Sequence, residues 1–504
     1  MARILVVGAG ASGACVTREL CDAALATNTR VDIDVVDKGQ PHLLEEHCRK
    51  PQQTFFRGVA YSATAEYHLL NIPTHGMSAV EAKPDDFAEW LQAKVALGVV
   101  DPKWVQWGVN GHAPRRLFGD YLNERTNDAI ARAAGWATVN LIAGEVRAIA
   151  VHQREAVVAV HAADAITLQF DYLILCHGNL SPPLLRPLRQ LEATGHGGRF
   201  VSNPWGFQSL DEKDATVGII GTRLTAIDYL LHLRKGCGHS GKILFFSRTG
   251  QFPKENPGER LEPKWERLEQ LLFPELANTD GSAAAVESVV ASISLEEIAR
   301  RFRVAVCGVD GDDGSVWQGR FDAIRPYTNV IWKTRSSADR TLFLSKLRCE
   351  FEIHRHRVAP NVLCYVESLF ANGTASHVVG HIDRVARSDD RTLEVTMDDG
   401  ERHSVNWLIN CTGPDADYRD AAVGSDLIRS LRDQNAITPE PHGIAMIVDG
   451  ATGQTATLGC GAGLLFAVGP PRRGLEWETI ALKEIRQQSE ALAKHIVDII
   501  SGSK

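Results

Sequence analysis

Residues 2–37 read ARILVVGAGASGACVTRELCDAALATNTRVDIDVVD. ILVV is an apolar run of strand length, ACVTRELCDAALA has helical spacing, and VDIDVV is a second strand ending at Asp37-Lys38. Between the first strand and the helix stand Gly8, Gly10 and Gly13. Strand, G-x-G-x-x-G, helix, strand and terminal acid together form a dinucleotide-binding fingerprint. Gly8 makes the tight turn, Gly10 lets the backbone approach a pyrophosphate, and Gly13 lets helix and strand pack closely. Ala11 and Ser12 open the helix, whose N-terminus offers free N–H donors and a positive dipole end. Asp37, with Lys38 beside it, is placed to accept hydrogen bonds from the adenosine ribose. The competing reading is a glycine-rich structural turn.

A second unit of the same kind begins at ATVGII (215–220). Gly221-Thr222-Arg223-Leu224 turns into a helix, and KILFFSR is the next strand. Here the glycine pattern is eroded: Arg223 stands at the second glycine position and Ala226 at the third. Arg223 either blocks the close approach of a pyrophosphate or pairs with it. The second strand ends in Ser247-Arg248, and a hydroxyl with a guanidinium suits a 2′-phosphate that an acid would repel. This half therefore reads as an NADPH site, with a degenerate structural unit as the alternative.

The chain has 504 residues, too many for one ordinary core. Hydrophobic residues make up 44% and charged residues 23%, with a formal net charge of -8. That balance gives no basic footprint for nucleic acid. The N-terminus runs straight into a strand, unlike a secretory signal, and no run reaches the length of a membrane span. The ten cysteines form no CxxC pair, and Cys176 in YLILCHG and Cys411 in LINCTGP sit among apolar residues. They read as reduced core cysteines of a cytoplasmic protein. No GxSxG with a matching triad, HExxH or paired CxxC is present, which argues against hydrolase and zinc chemistry.

A run of strands follows the first unit and ends at DYLILCHG; helices dominate from about 261 to 371, around a glycine- and aspartate-rich loop at 308–319. Strands resume at 376–413, ending at LINCTG, and ETIALKEIRQQSEALAKHIVDIIS is an amphipathic terminal helix. The fold class expected is α/β, with two Rossmann-like dinucleotide-binding domains and a mainly helical insertion. The first domain covers 1–205, the second 206–375 with its insertion at about 255–372, and 376–504 returns to complete the first.

Two such units, with CHG and CTG strand ends, resemble the layout of two-dinucleotide flavoproteins, in which the first unit holds FAD and the second the nicotinamide donor. FRGVAYSATAEYHLLNIPTHGMSA (56–79), APRRLFGDYL (113–122), DYLILCHGNLSPP (171–183), SRTGQFP, FEIHRHRVAP, LINCTGP and AVGPPRRGLEWETIALKEIRQQ follow in order. They resemble signatures of an FAD/NAD(P)-binding oxidoreductase family that includes the L-aspartate N-monooxygenases. More distantly, the chain is similar to N-hydroxylating and Baeyer–Villiger monooxygenases. His177 departs from that pattern, standing where the family usually has threonine, and Arg223 is the second departure.

The resemblance implies a flavin reduced by NADPH that passes one oxygen atom from molecular oxygen to a small amine or amino acid, an L-aspartate-like one included. The cofactor carries the hard chemistry while the protein orients it and excludes water. Two further readings are a flavin oxidoreductase with an acceptor other than oxygen, and a non-catalytic flavin-binding redox protein. For FAD the resemblance points to Leu70, Asn71, Met77, Ser78, Arg116, Val146, Gly178, Gly413, Gly469 and Trp477, beside the residues of the first turn. LLNIP reads equally as a buried turn, Trp477 as a core tryptophan, and Arg115-Arg116 as a surface pair. The glycine turn at 469–474 is expected to lead into the last helix, with that helix's N-terminus facing the flavin ring.

Residues 351–360 read FEIHRHRVAP. On a strand His354 and His356 share a face, a start toward a metal site, but Arg355 and Arg357 would repel a cation. If the preceding helix continues, the four residues wrap a whole turn and Ala359-Pro360 breaks it. A solvated charge run is one reading. The other, favoured by the resemblance, is an anion pocket for the NADPH phosphates or a substrate carboxylate.

Overall fold

The computed structural model describes residues 1–39, 55–62, 65–105, 111–160, 164–193, 197–206, 210–256, 272–307, 317–419, 425–455 and 465–502. Cys48, Cys460, the start of the helical stretch expected from 261, and most of the loop 308–319 lie outside them; a helix begins at Trp317.

In chain order the first unit comprises β1 (Ala2–Val7), β2 (Val31–Asp37), β3 (Ala137–Ala143), β4 (Glu145–Ala150), β5 (Glu155–Ala159), β6 (Ala165–Gln169) and β7 (Tyr172–Leu175). The second comprises β8 (Phe200–Val201), β9 (Val217–Ile220), β10 (Ile243–Ser247), β11 (Ala375–Val379), β12 (Ile382–Arg387), β13 (Leu393–Met397), β14 (Arg402–Val405) and β15 (Trp407–Asn410). β16 (Leu465–Ala467) follows. Two parallel sheets result, ordered β16-β7-β1-β2-β3 and β8-β15-β9-β10-β11. Each carries an antiparallel three-strand meander, β4-β5-β6 on one and β12-β13-β14 on the other. The two halves thus repeat one topology, which fits an α/β chain of two Rossmann-like units.

The strands at 375–410, expected in the returning first domain, belong instead to the second sheet: β11 pairs β10, and β15 pairs β9. LINCTG therefore closes the second sheet as LILCHG closes the first. The reason is register, because β15 emerges from its meander beside β9 as β7 emerges beside β1. The short β8, within the stretch 1–205, is likewise the outer strand of the second sheet.

Helix Ala11–Thr27 is apolar on its sheet-facing side and ends at Asn28 in the left-handed conformation, whose N–H returns to helix carbonyls. Helix Leu482–Ser501 packs along it, so Leu492, Ala493 and Ile496 share a core with Val16 and Leu20. Each such aliphatic side chain contributes roughly 1.5–3 kcal/mol when fully buried. Between β10 and β11 the helices Ala283–Ser292, Leu295–Cys307 and Trp317–Thr334 share a separate apolar core, Arg348–Arg355 follows, and Pro360–Ala371 packs Val362, Val366 and Leu369 into the core of the second sheet. Among the described residues no helix is long and apolar enough to cross a membrane. The described free cysteines include buried Cys15, Cys21, Cys176 and Cys411, but Cys364 is exposed and not a core residue.

Gly8 (φ +101°) and Gly221 (φ +109°) fix both turns. A Cβ on Gly8 would lie 2.4 Å from the Cys176 carbonyl oxygen, and one on Gly221 2.5 Å from that of Cys411. Both contacts are backbone against backbone, so neither can relax. Gly8→Ala and Gly221→Ala are each expected to lose about 2–4 kcal/mol in denaturant unfolding. Gly135→Ala, also at positive φ (+100°) but facing open space, should lose clearly less. Equal losses at all three would leave the carbonyl contacts without energetic weight.

Candidate functional site

The two turns are superimposable in their bonding. Gly8 N–H donates to Val36 O (2.8 Å) and Gly221 N–H to Phe246 O (2.8 Å). Cys176 N–H donates to Val7 O (2.8 Å) and Cys411 N–H to Ile220 O (2.9 Å). The helix after each turn starts on a residue in extended conformation with no side-chain cap, Gly10 (φ -78°, ψ -160°) and Arg223 (φ -88°, ψ -172°). The opening N–H groups of both helices, at Ala11, Ser12 and Gly13 and at Leu224 and Thr225, lack intrahelical acceptors by geometry. Such an end suits a phosphate. Gly178 (φ +71°) and Gly413 (φ +90°) follow β7 and β15, and a Cβ on either would meet nothing within 4 Å. The strand edges above both turns are therefore open. Gly413, expected with the first unit, stands at the second, since it continues from the strand that touches Gly221.

At the end of β2, Asp37 accepts hydrogen bonds from the N–H groups of Ala9 (2.6 Å) and Gly39 (2.8 Å). Burial pushes its carboxyl above the usual range, and those two donors partly offset the effect. Lys38 is exposed and lies 3.6 Å from Glu145. Val146, next to Glu145 on β4, is buried in the core behind the sheet. At the matching end of β10 the Ser247 hydroxyl accepts from Gly250 N–H (2.9 Å), and Arg248 is exposed with no recorded partner among the described residues. Thr222 donates to Gln251 O (2.7 Å). Arg223 turns toward the insertion, its guanidinium donating to Cys349 O (2.8 Å). It neither distorts the turn nor extends from it unattached.

Sequence patterning missed what covers the first turn. Phe56 N–H donates to Ala9 O (2.7 Å), and Gly58 comes so close to Gly10 that a Cβ on it would lie 2.9 Å from Gly10 Cα. The only sequence signal was the glycine in FRGVAY. Residues 68–74 run beside 111–115: Leu70 N–H donates to Ala113 O (2.9 Å), and Thr74 N–H to Gly111 O (2.9 Å). Leu70 and Met77 are buried, and the Ser78 hydroxyl is engaged by Lys83 O (2.6 Å). The Asn71 carbonyl accepts from Asn256 (2.7 Å), whereas its half-buried side-chain amide has no partner among the described residues. Gly469 (φ +78°) abuts Ser12, where a Cβ would lie 2.5 Å from Ser12 Oγ. Its N–H donates to Gln488 Oε1 (2.9 Å), and its carbonyl accepts from Thr479 (3.0 Å). The last helix starts only at Leu482, so its N-terminus is a whole loop away from the glycine turn and not directly behind it.

Three expectations are corrected. Trp477 packs against Trp332 (5.1 Å between centroids) and Phe343 (4.9 Å), in an aromatic cluster with the insertion, because aromatic surface from those helices encloses it. Arg116 pairs with Glu66 (3.1 Å) near the surface, while Arg115 turns inward. FEIHRHRVAP ends helix Arg348–Arg355, and both guanidinium groups already have protein carboxylates: Arg355 with Glu478 (2.7 Å) and Arg357 with Asp322 (3.0 Å). His354 contacts Glu350 O (2.8 Å), and burial followed by the nearby Arg355 charge pulls His356 down to about 4. The segment is neither a surface run nor an open anion pocket, since its charges are neutralised internally.

A small cleft is lined by Val59, Ala60, His68 and Arg115 from the first unit and by Thr225 and Asp228 from the second. Asp228 sits on helix Leu224–Leu231, directly after the second turn. Arg115 reaches it from the first unit (2.6 Å), with His68 at 3.6 Å and Arg115 also donating to Leu69 O (2.9 Å). Burial pushes the Asp228 carboxyl up, but the Arg115 guanidinium and His68 outweigh it and hold it below the usual carboxylate range.

Residues 5–180 match the family model described as FAD-NAD(P)-binding. No curated protein matches the sequence. Among solved structures the chain is similar to ornithine hydroxylase (PvdA) from Pseudomonas aeruginosa, at 12% identity, 99% of each chain and a TM-score of 0.58. The reduced form of that protein gives 11%, 99% of each chain and 0.58. The FAD-bound cadaverine monooxygenase DfoA from Erwinia amylovora gives 12%, 99% of this chain, 94% of that chain and 0.48. Residues 5–180 are thus similar to an FAD-NAD(P)-binding family, and the whole chain shares the fold of the ornithine hydroxylase structures.

Asp228→Ala is expected to cost about 3–5 kcal/mol by leaving Arg115 buried without its partner. Arg115→Met with Asp228→Leu should recover most of that loss in denaturant unfolding. The coupling should be full above about pH 4 and fade below it, because only the ionised carboxylate pairs. Simple additivity of the two single losses would show that the pair does not act as a unit.

Proposed function

We propose that this protein is an FAD-dependent, NADPH-using monooxygenase that hydroxylates the nitrogen of a small amine or amino acid. One observation carries the reading: equivalent, uncapped glycine turns repeat on the two parallel sheets, and Arg115 of the first unit pairs with Asp228 on the helix that follows the second turn. The first turn fits FAD, with Asp37 at the ribose position, the uncapped helix start at the pyrophosphate, and the free Asn71 amide and Gly469 loop beside it. When bound, the flavin supplies hydride acceptance and oxygen transfer. Gly10 and Gly58 bring two backbones together over the turn, and Gln488 with Thr479 holds the 469–479 loop against Ser12. Ser247 and exposed Arg248 suit the 2′-phosphate of NADPH. The whole-chain likeness to a protein titled ornithine hydroxylase agrees in fold. Cytoplasmic location and molecular oxygen as co-substrate belong to the same reading.

A second reading, a non-catalytic flavin-binding redox protein, rests on Arg223. Its place in the second turn departs from the glycine pattern even though its backbone matches that of Gly10.

The purified protein is expected to be yellow, to bleach with NADPH under anaerobic conditions, and to recolour rapidly in air with a hydroxylamine or nitro product from a candidate amine. Slow recolouring without such a product favours hydride transfer to an acceptor other than oxygen, and no bleaching at all overturns both enzyme readings in favour of the non-catalytic one. Arg248→Ala should raise the apparent constant for NADPH at least about tenfold while changing NADH little. Equal losses with both donors would remove the 2′-phosphate role.

A further inference from the structure

One apolar cavity is lined by none of the residues of the two glycine turns. It holds about 90 Å³ inside the insertion and is walled by Ile298, Phe302, Ile324, Trp332, Phe343 and Trp477. Two irregularities shape it. Pro326 interrupts the hydrogen bonding of helix Trp317–Thr334 beside Ile324 and Thr328, and residues Phe343–Leu347 form a π-turn whose first and last side chains reach the wall.

Most polar groups around it have protein partners, although Arg335 Nε and Arg340 Nε are buried without one. Trp332 Nε1 donates to Gly474 O (3.1 Å), and Arg335 donates to Ile293 O (2.6 Å) and Val290 O (2.6 Å). At the rim Glu350 pairs with Arg303 (2.7 Å), and Arg340 lies over the Trp332 ring (4.8 Å) while reaching Glu440 (3.4 Å). A cavity with so little left to bond water stays dry, and one of this character accepts a ring-sized apolar molecule. Trp332 is fixed by its hydrogen bond and packs against Phe343 (6.1 Å between centroids) and Trp477 (5.1 Å), which holds that side of the wall open.

We propose that this cavity is a binding site for a small uncharged apolar molecule of the size of one aromatic ring or a branched alkyl group. The site is separate from the dinucleotide turns and does not depend on how they are used. Its occupant would touch Trp477, at the end of the loop that begins at Gly469 beside Ser12, and so would sit against a segment leading to the first turn.

Fluorobenzene is the probe, followed by fluorine NMR on the full chain with whatever cofactor it retains. The wild-type protein should broaden and shift the resonance saturably, with competition by toluene and none by benzoate. Ala299→Phe and Ile331→Phe fill the cavity from two different helices and should each weaken binding at least about tenfold. Circular dichroism melting and retained yellow colour identify a folded variant, and two variants guard against one that does not fold. Absence of a saturable shift in the wild type, or undiminished binding in a folded filling variant, overturns the proposal. Benzoate competing as well as toluene overturns the assigned ligand class.

Discussion

The pair formed by Arg115 and Asp228 sets the relation between the two dinucleotide units. Its ends are fixed to the features that matter most. Arg115 opens the helix Arg115–Arg132 of the first unit, and Asp228 lies within two turns of the second glycine turn. Both side chains are largely out of solvent, at 14% and 8% exposure, so neither can exchange its partner for water cheaply. A buried pair of this kind contributes less to net stability than to register, because any other docking of the units strands two charges. Both residues also line one small cleft to which the two units contribute.

The repetition of topology explains what the second unit can tolerate. In both halves the tight turn is dictated by a strand carbonyl, from Cys176 or Cys411, that leaves no space for a Cβ. Glycine is therefore required at positions 8 and 221 by the protein's own backbone, whatever is bound. The second glycine position is different. Gly10 is crowded by Gly58, which folds over the first turn. Arg223 adopts nearly the same backbone angles, but its side chain runs to Cys349 on the insertion. The erosion of the motif at Arg223 thus replaces a covering segment with a tether to a different part of the chain, and the turn keeps its shape.

Much of the fold was legible because it rests on local pattern. Period-two and period-3.6 apolar spacing, with a glycine turn between, placed β1, β2, β9 and β10 and their helices. The strands at 375–410 were recognised as strands but not by sheet, since pairing is decided by a meander's exit and not by composition. The site was legible only in its glycines and terminal polar residues. Arg355 and Glu478 are 123 positions apart, and Arg115 and Asp228 are 113 apart. Nothing in a local window marks a charged residue as already satisfied by a distant partner. FEIHRHRVAP suggested an open cationic pocket for that reason, and Asp228 went unremarked within an apolar helix.

The internal neutralisation of FEIHRHRVAP bears on how a substrate would be recognised. Arg355 bonds the Glu478 carboxylate through two nitrogens, and the Glu478 backbone is itself fixed by Asn329, whose amide donates to its carbonyl (3.2 Å) and whose Oδ1 accepts its N–H (2.8 Å). Arg357 is held by Asp322, by two backbone carbonyls and by the faces of Trp317 and Phe321. To give Arg355 to an external anion would leave the buried Glu478 carboxylate alone, at a cost several times that of an ordinary hydrogen bond, and to give Arg357 would break its pair with half-buried Asp322. These residues act instead as a brace that ties the insertion to the 469–479 loop and hence to the first turn. The brace therefore leaves neither guanidinium of this segment unpaired, whereas the half-buried Asn71 amide, next to buried Leu70, has no partner among the described residues.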